Sequence, residues 1–154
     1  MAPPLLKHLS RLTPAAFAAG ATLIAEGAAT PALFVLATGT LEVLRAGEVV
    51  ATLAEPGAVV GEMAALLGRS ASATVRAKTA ATAYIIDDPE RFFEKSPAVL
   101  LEIARTLAQR LDTTTDFLVQ SRHRFAGQED MAFLEDVFAL LGAEPTTPVT
   151  GTRL

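Results

Sequence analysis

The sequence predicts a mainly β protein with flanking helices, built on an antiparallel barrel or sandwich. The first supporting observation is that short apolar segments alternate with glycines between residues 21 and 87. Evenly spaced short strands with glycine turns are typical of antiparallel sheets and not of parallel βαβ units. The second is that apolar residues recur at helical spacing before and after this region. With 154 residues and 51% hydrophobic content, the chain has enough material for one core.

The amino-terminal segment is predicted to begin with a short helix over residues 3–12. The four leucines of this segment recur at helical spacing, at Leu5, Leu6, Leu9 and Leu12. The following Thr13-Pro14 pair permits a second helical turn, which we expect to run through Phe17.

Seven apolar segments of the central region are predicted as strands, namely 22–25, 33–38, 41–45, 49–53, 58–60, 73–77 and 81–86. Glycines mark the turns between them, because glycine adopts positive φ without steric cost. These turn glycines are Gly27, Gly39, Gly47, Gly57 and Gly68.

The last third of the chain is predicted to be helical. A short helix is expected over Pro89–Lys95, and Ser96-Pro97 is a helix-start signature for a long helix that reaches about Arg122. A second amphipathic stripe covers residues 131–141, and the Thr- and Pro-rich tail from Glu144 is expected to be disordered. We therefore predict one domain over 1–122, followed by a short helix and tail over 123–154.

Composition excludes several classes of function. The chain has no cysteine, which removes disulfides and thiolate metal sites and fits a cytoplasmic protein. A net charge of −4 argues against nucleic-acid binding, and no apolar run approaches the roughly 18 residues of a membrane span. His8 and His123 have no neighbouring ligand set, so we expect no metal. No serine or histidine stands in a catalytic context, so we expect no enzyme.

One segment, residues 61–75, carries the chemistry, with the sequence GEMAALLGRSASATV. We call this segment the cassette. It predicts a strand end, a short helix and a loop that enters another strand. Backbone N–H groups at a helix start attract a compact anion. Glu62 is suited to accept a hydrogen bond from a sugar hydroxyl, and Ser72 to donate one to a phosphate oxygen. Alternatively, Glu62 only caps the helix.

The cassette resembles the phosphate-binding segment of the cyclic-nucleotide-binding family, which includes catabolite-activator regulators, kinase regulatory subunits and gated channels. The ordered glycines from Gly20 to Gly61 agree with this resemblance, which covers about residues 17–118. It implies a cyclic-nucleotide-binding-type, jelly-roll-like β-roll whose ligand is cAMP or cGMP, with a C-terminal helix that covers the base. By resemblance, Glu62 binds ribose, Gly61, Met63 and Ala64 offer backbone donors, and Ser72 and Ala73 face the phosphate.

The sequence departs from the family pattern at Ala71, where family members commonly carry an arginine that pairs with the phosphate. Arg69 lies two residues earlier. It substitutes for the missing arginine either if its side chain swings inward or if the loop shifts its register so that residues 69–71 take that place. A charged hydrogen bond contributes roughly 1.5–3 kcal/mol, so its loss predicts binding weaker by about 10- to 150-fold.

Two functions are compatible with these sequence features. In the first, the domain senses cAMP or cGMP and relays occupancy through its C-terminal helices. In the second, it is a degenerate roll without a nucleotide ligand, kept as a dimerisation or docking module. The partner is then a second copy or an effector protein, contacted through 97–122 and 131–141. Three consecutive threonines at 113–115 make the long helix a poor uninterrupted heptad seam.

Overall fold

The computed structural model describes residues 4–29 and 32–124. Within these residues, four helices and eight strands follow one another along the chain. In order they are α1 (Pro4–His8), β1 (Ala15–Phe17), β2 (Thr22–Ile24), β3 (Leu33–Thr38), β4 (Leu41–Arg45), β5 (Glu48–Leu53), β6 (Val59–Val60), α2 (Glu62–Leu67), β7 (Thr74–Ala77), β8 (Ala81–Ile86), α3 (Pro89–Lys95) and α4 (Pro97–Arg124).

The strands form two four-stranded sheets in which every pairing is antiparallel. One sheet has the order β1-β8-β3-β6 and the other has the order β2-β7-β4-β5. Neighbours in the sheets are therefore often distant in sequence, as in a roll and unlike a simple meander. The predicted antiparallel architecture is confirmed.

The core lies between the two sheets. Phe34 and Leu36 from β3 pack in one buried cluster with residues of β4 and β7, among them Leu41 and Val75. Leu33 and Val35 alternate with the two β3 residues of the cluster and are fully buried as well, so both faces of β3 are covered. Such burial explains the continuous apolar run of β3.

Most of the predicted elements agree with the structure to within a residue or two, but the second helical turn through Phe17 is wrong. Ala15–Phe17 is instead a strand whose register pairs Ala15 with Ala83 and Phe17 with Ala81. The Phe17 ring also contacts the Phe34 ring edge to face, with centroids 6.3 Å apart. Sheet pairing and this aromatic contact outweigh the local helical tendency of the segment. The first helix is shorter than predicted and ends at His8.

The chain divides into two compact units, Met1–Arg105 and Thr106–Leu154. The first contains both sheets, α1 to α3 and the first turns of α4. In the second, the described part is the remainder of α4, which is largely exposed. The predicted helix at 131–141 and the predicted tail lie outside the described residues, and the domain boundary at 122 stays a prediction.

No helix within residues 4–29 and 32–124 has both the length and the hydrophobicity needed to cross a bilayer.

Candidate functional site

The cassette begins at Gly61, directly after β6. Gly61 has φ 87° and ψ −3°, a left-handed conformation that forms the N-cap of α2. A Cβ at this position would lie 2.7 Å from the carbonyl oxygen of Ala32 and 3.1 Å from Cδ1 of Ile24. Glycine is therefore required twice, for its conformation and for the close approach of a neighbouring backbone.

The helix that follows places Glu62 inside the protein. Glu62 is only 6% exposed and interacts with another group of the structure. A buried carboxylate in the first turn of a helix is favourable only when its charge is compensated. Ala64 is also buried, whereas Met63 is 45% exposed. The helix ends after Leu67.

The end of α2 is closed by a second left-handed glycine. Gly68 has φ 60°, and its N–H donates to the carbonyl of Ala64. The N–H of Arg69 donates to the same carbonyl at 3.2 Å. Shared acceptance of this kind is usual where a helix terminates at glycine. The turn leaves the side chains of Arg69 and Ser70 exposed, where they line a groove that also contacts α3.

Ala71 lies in a different environment from Arg69. It is 8% exposed and belongs to the core cluster between the sheets. Its N–H donates to the carbonyl of Ala28 at 3.0 Å, and its carbonyl accepts the N–H of Gly27 at 2.8 Å. These two bonds fix the cassette's end against the loop after β2.

The last cassette residues enter β7. Ser72 and Ala73 are half-buried, and Thr74 accepts the backbone N–H of Glu26 through its hydroxyl at 3.0 Å. The carboxylate of Glu26 in turn accepts the N–H of Ala46 at 3.0 Å. The loop after β2 is thus tied both to the cassette and to the turn between β4 and β5.

Of the predicted site residues, Glu62, Ala64 and Ala71 are buried and Met63 and Arg69 lie at the surface, while the others are half-buried. Their ligand roles stay predictions. Sequence reasoning missed Glu42, a strand residue that is buried and forms an ion pair with Arg76 on β7. The cross-strand register of β4 and β7 places these two residues opposite each other. No sequence signal distinguishes Glu42 from an ordinary exposed strand residue.

Within the described part of the chain, no group of three or more His, Asp or Glu side chains is arranged to hold a metal ion.

The comparison with protein families identifies one match. Residues 14–94 match the model of the cyclic nucleotide-binding domain, which is more than half of the chain. No curated protein sequence is significantly similar to this chain.

Solved structures resemble this fold over most of the chain. Catabolite activator protein from Thermus thermophilus has a TM-score of 0.62 at 23% identity, covering 94% of this chain and 78% of its own. The domain CBD2 of PKAR, bound to Sp-2Cl-cAMPS, has a TM-score of 0.58 at 20% identity, covering 95% and 83%. A structure from a cyclic-GMP-dependent pathway of bacterial phytopathogenesis has a TM-score of 0.61 at 23% identity, covering 73% and 95%. At these identities the likeness shows the fold, and the predicted β-roll is confirmed.

Proposed function

This chain belongs to the cyclic nucleotide-binding domain family, whose members are regulatory and not catalytic, and on that premise we propose that it is a sensor of cAMP or cGMP. The observation that carries the proposal is the start of the cassette. Left-handed Gly61 opens α2, and the buried carboxylate of Glu62 follows at once. The first N–H groups of a helix attract an anion, so this arrangement suits a ligand that brings a phosphate to the start of α2 and offers a hydroxyl to a carboxylate.

The roles we propose follow the family resemblance. Glu62 accepts the ribose hydroxyl, the backbone N–H groups near Met63 and Ala64 meet the phosphate, and Ser72 with Ala73 faces the phosphate from β7. Two of the similar structures are associated with different nucleotides: one is bound to Sp-2Cl-cAMPS, and the other comes from a cyclic-GMP-dependent signalling pathway. Both nucleotides are therefore candidates for this chain.

We propose that binding is weak, because the usual phosphate-binding arginine is replaced by Ala71. Ala71 packs in the core and offers no charge, while Arg69 is exposed on a groove with acidic residues of the β8–α3 junction. The predicted loss of about 10- to 150-fold in affinity then stands uncompensated.

Titration calorimetry and thermal denaturation with cAMP and cGMP test the proposal, with 5′-AMP as the matched control ligand. At a ligand concentration ten times the Kd, binding adds about 1.4 kcal/mol of stability, which raises Tm by several degrees in a domain of this size. The cyclic nucleotides should produce this shift and 5′-AMP should not. If neither heat nor a shift appears at millimolar cyclic nucleotide, the sensor proposal is wrong.

A pair of charge-neutralising variants tests the role of the cassette carboxylate. Glu62→Gln should weaken nucleotide binding by about 10-fold or more, because it removes a charged hydrogen-bond acceptor. Glu55→Gln makes the same chemical change at an exposed position outside the cassette and should leave the affinity unchanged. Equal affinities for the two variants would contradict the proposed ribose contact.

A second candidate function, dimerisation, is favoured by the exposed surface of α4. Leu101 and Leu111 are 51% and 55% exposed. They belong to a set with alternating spacings of three and four residues, which is the spacing of a two-helix seam. We call this set the α4 seam; it comprises Leu101, Ala104, Ala108, Leu111, Thr115 and Leu118. The hydroxyl of Thr115 donates to the carbonyl of Leu111 at 2.8 Å, which satisfies its polar group within the helix.

We propose that a second copy pairs through the α4 seam, and that ligand occupancy is relayed through α3 and α4. Sedimentation velocity of Leu111→Glu should show a monomer where the unmodified chain is a dimer. Phe117→Glu is the matched control, since Phe117 is 66% exposed and lies outside the α4 seam. A chain that is monomeric at all concentrations would remove the dimer. Deletion of 128–154 then tests the other surface, the predicted stripe at 131–141, for effector binding.

The proposal includes no catalytic step, no nucleic-acid partner and no cofactor. It places the protein in the cytoplasm, with which the absence of cysteine is consistent.

A further inference from the structure

A groove separate from the core cluster lies between α2 and the start of α3, with a volume of about 710 Å³. Small residues of α2, Ala64 and Ala65, form part of its lining. The β8–α3 junction contributes Asp87, Asp88 and Glu90. Ligand sites in proteins typically enclose about 300–1,000 Å³, so this groove is large enough to receive a peptide side chain together with its backbone.

The charges of the groove are unbalanced. Its described lining residues include three carboxylates and one guanidinium, that of Arg69, so their formal charge is 1 − 3 = −2. Among the described residues, Asp87, Glu90 and Arg69 form no ion pair. Asp88 accepts the backbone N–H of Arg91 at 3.1 Å, which fixes its carboxylate at the start of α3.

We propose that this groove docks a basic segment of a partner protein, one that carries arginine or lysine. Carboxylates bind guanidinium groups in a directed, often bidentate way, and the small residues of α2 let a peptide backbone approach closely. The chain's own apolar stripe at 131–141 is a poor occupant, because Glu129, Asp130, Glu135 and Asp136 surround it with like charge. Docking at this groove does not require that the cassette binds a nucleotide.

The test uses the full chain and a short, blocked, fluorescent peptide of alternating arginine and alanine at low ionic strength. A peptide of alternating glutamine and alanine is the uncharged control. Asp87→Asn/Glu90→Gln neutralises two carboxylates of the groove. Glu48→Gln/Glu55→Gln makes the same change in net charge at exposed positions outside it.

Fluorescence anisotropy should show that the groove variant binds the arginine peptide about 3- to 30-fold more weakly, as expected for two partly exposed charge pairs. The Glu48/Glu55 variant should change affinity by less than about 2-fold. Equal weakening in both variants, or no binding of the arginine peptide, would overturn the proposal. A change of oligomeric state in the groove variant would also overturn it, because a second copy would then be the occupant.

Discussion

The substitution Ala71→Arg restores the arginine that family members commonly carry at this position, and its consequences follow from the surroundings of Ala71. The backbone at this position is held by two hydrogen bonds to the loop after β2, and the side chain starts from a site that is 8% exposed. An arginine placed here starts from a fixed backbone position, and under the proposed function its guanidinium pairs with the phosphate, as the arginine of family members does.

Two effects of opposite sign are expected. Without ligand, a partly buried guanidinium lacks a partner, which should lower the free energy of unfolding by about 1–3 kcal/mol. With ligand, the charged hydrogen bond contributes roughly 1.5–3 kcal/mol, so affinity for the cyclic nucleotide should rise by about 10- to 150-fold. The free variant is thus less stable than the unmodified protein, and saturating ligand stabilises it more.

Titration calorimetry measures the affinity, and urea denaturation with and without nucleotide measures the two stabilities. Ala54→Arg is the matched control, because it adds the same charge at an exposed loop position. Should folded Ala71→Arg bind no more tightly than Ala54→Arg, position 71 would not face the phosphate and the cassette assignment would fail.

Three further predictions concern stability, each measured by chemical denaturation. Gly61→Ala should lower the free energy of unfolding by about 2–5 kcal/mol, because Gly61 has positive φ and a close backbone contact. Gly20 has φ 86° and open space around it, so Gly20→Ala should lower the free energy of unfolding by only about 1–2 kcal/mol. Equal losses in the two variants would contradict the steric argument. Ala46→Gly should raise the free energy of unfolding by about 0.5–1 kcal/mol, because Ala46 has φ 50° in the turn between β4 and β5. A less stable variant would refute this prediction. Arg76→Met should cost about 1–2 kcal/mol by leaving buried Glu42 without its counter-charge, and a second change, Glu42→Met, should recover most of it.

The strands were predictable where apolar runs end at residues with a physical reason to turn. β3 and β8 have the predicted bounds, because Gly39 follows the first and acidic residues follow the second. Gly39 and Gly61 both adopt positive φ, as expected of glycines that end strands. In such places the local sequence contains the whole signal.

Other features depended on partners that are distant in sequence. Alanine-rich Ala15–Phe17 has no local preference for a strand and becomes one by pairing with β8. Glu42 is buried because Arg76 lies opposite it on β7. Local propensity is a weak guide at such positions, since tertiary contacts decide the outcome.

The candidate site divides in the same way. The pattern around Gly61 and Glu62 predicted the strand end and the helix start. It could not predict that Arg69 shares a groove with Asp87, because that proximity depends on the tertiary packing of two loops that are distant in sequence. The proposed nucleotide site and the proposed docking groove both include residues of one helix.

That helix, α2, contributes Glu62 to the proposed nucleotide site and Ala64 with Ala65 to the groove. If both sites bind as proposed, a ligand that moves or orders α2 at one site must change affinity at the other. Linkage requires the effect to be reciprocal, and coupling energies between sites are typically 1–3 kcal/mol, or about 5- to 150-fold. Anisotropy titrations of the arginine peptide with and without saturating cyclic nucleotide measure one direction. Calorimetry of nucleotide with and without peptide measures the other, and the two ratios should agree. If the affinity ratio is one in both directions, the two sites bind independently and α2 does not couple them.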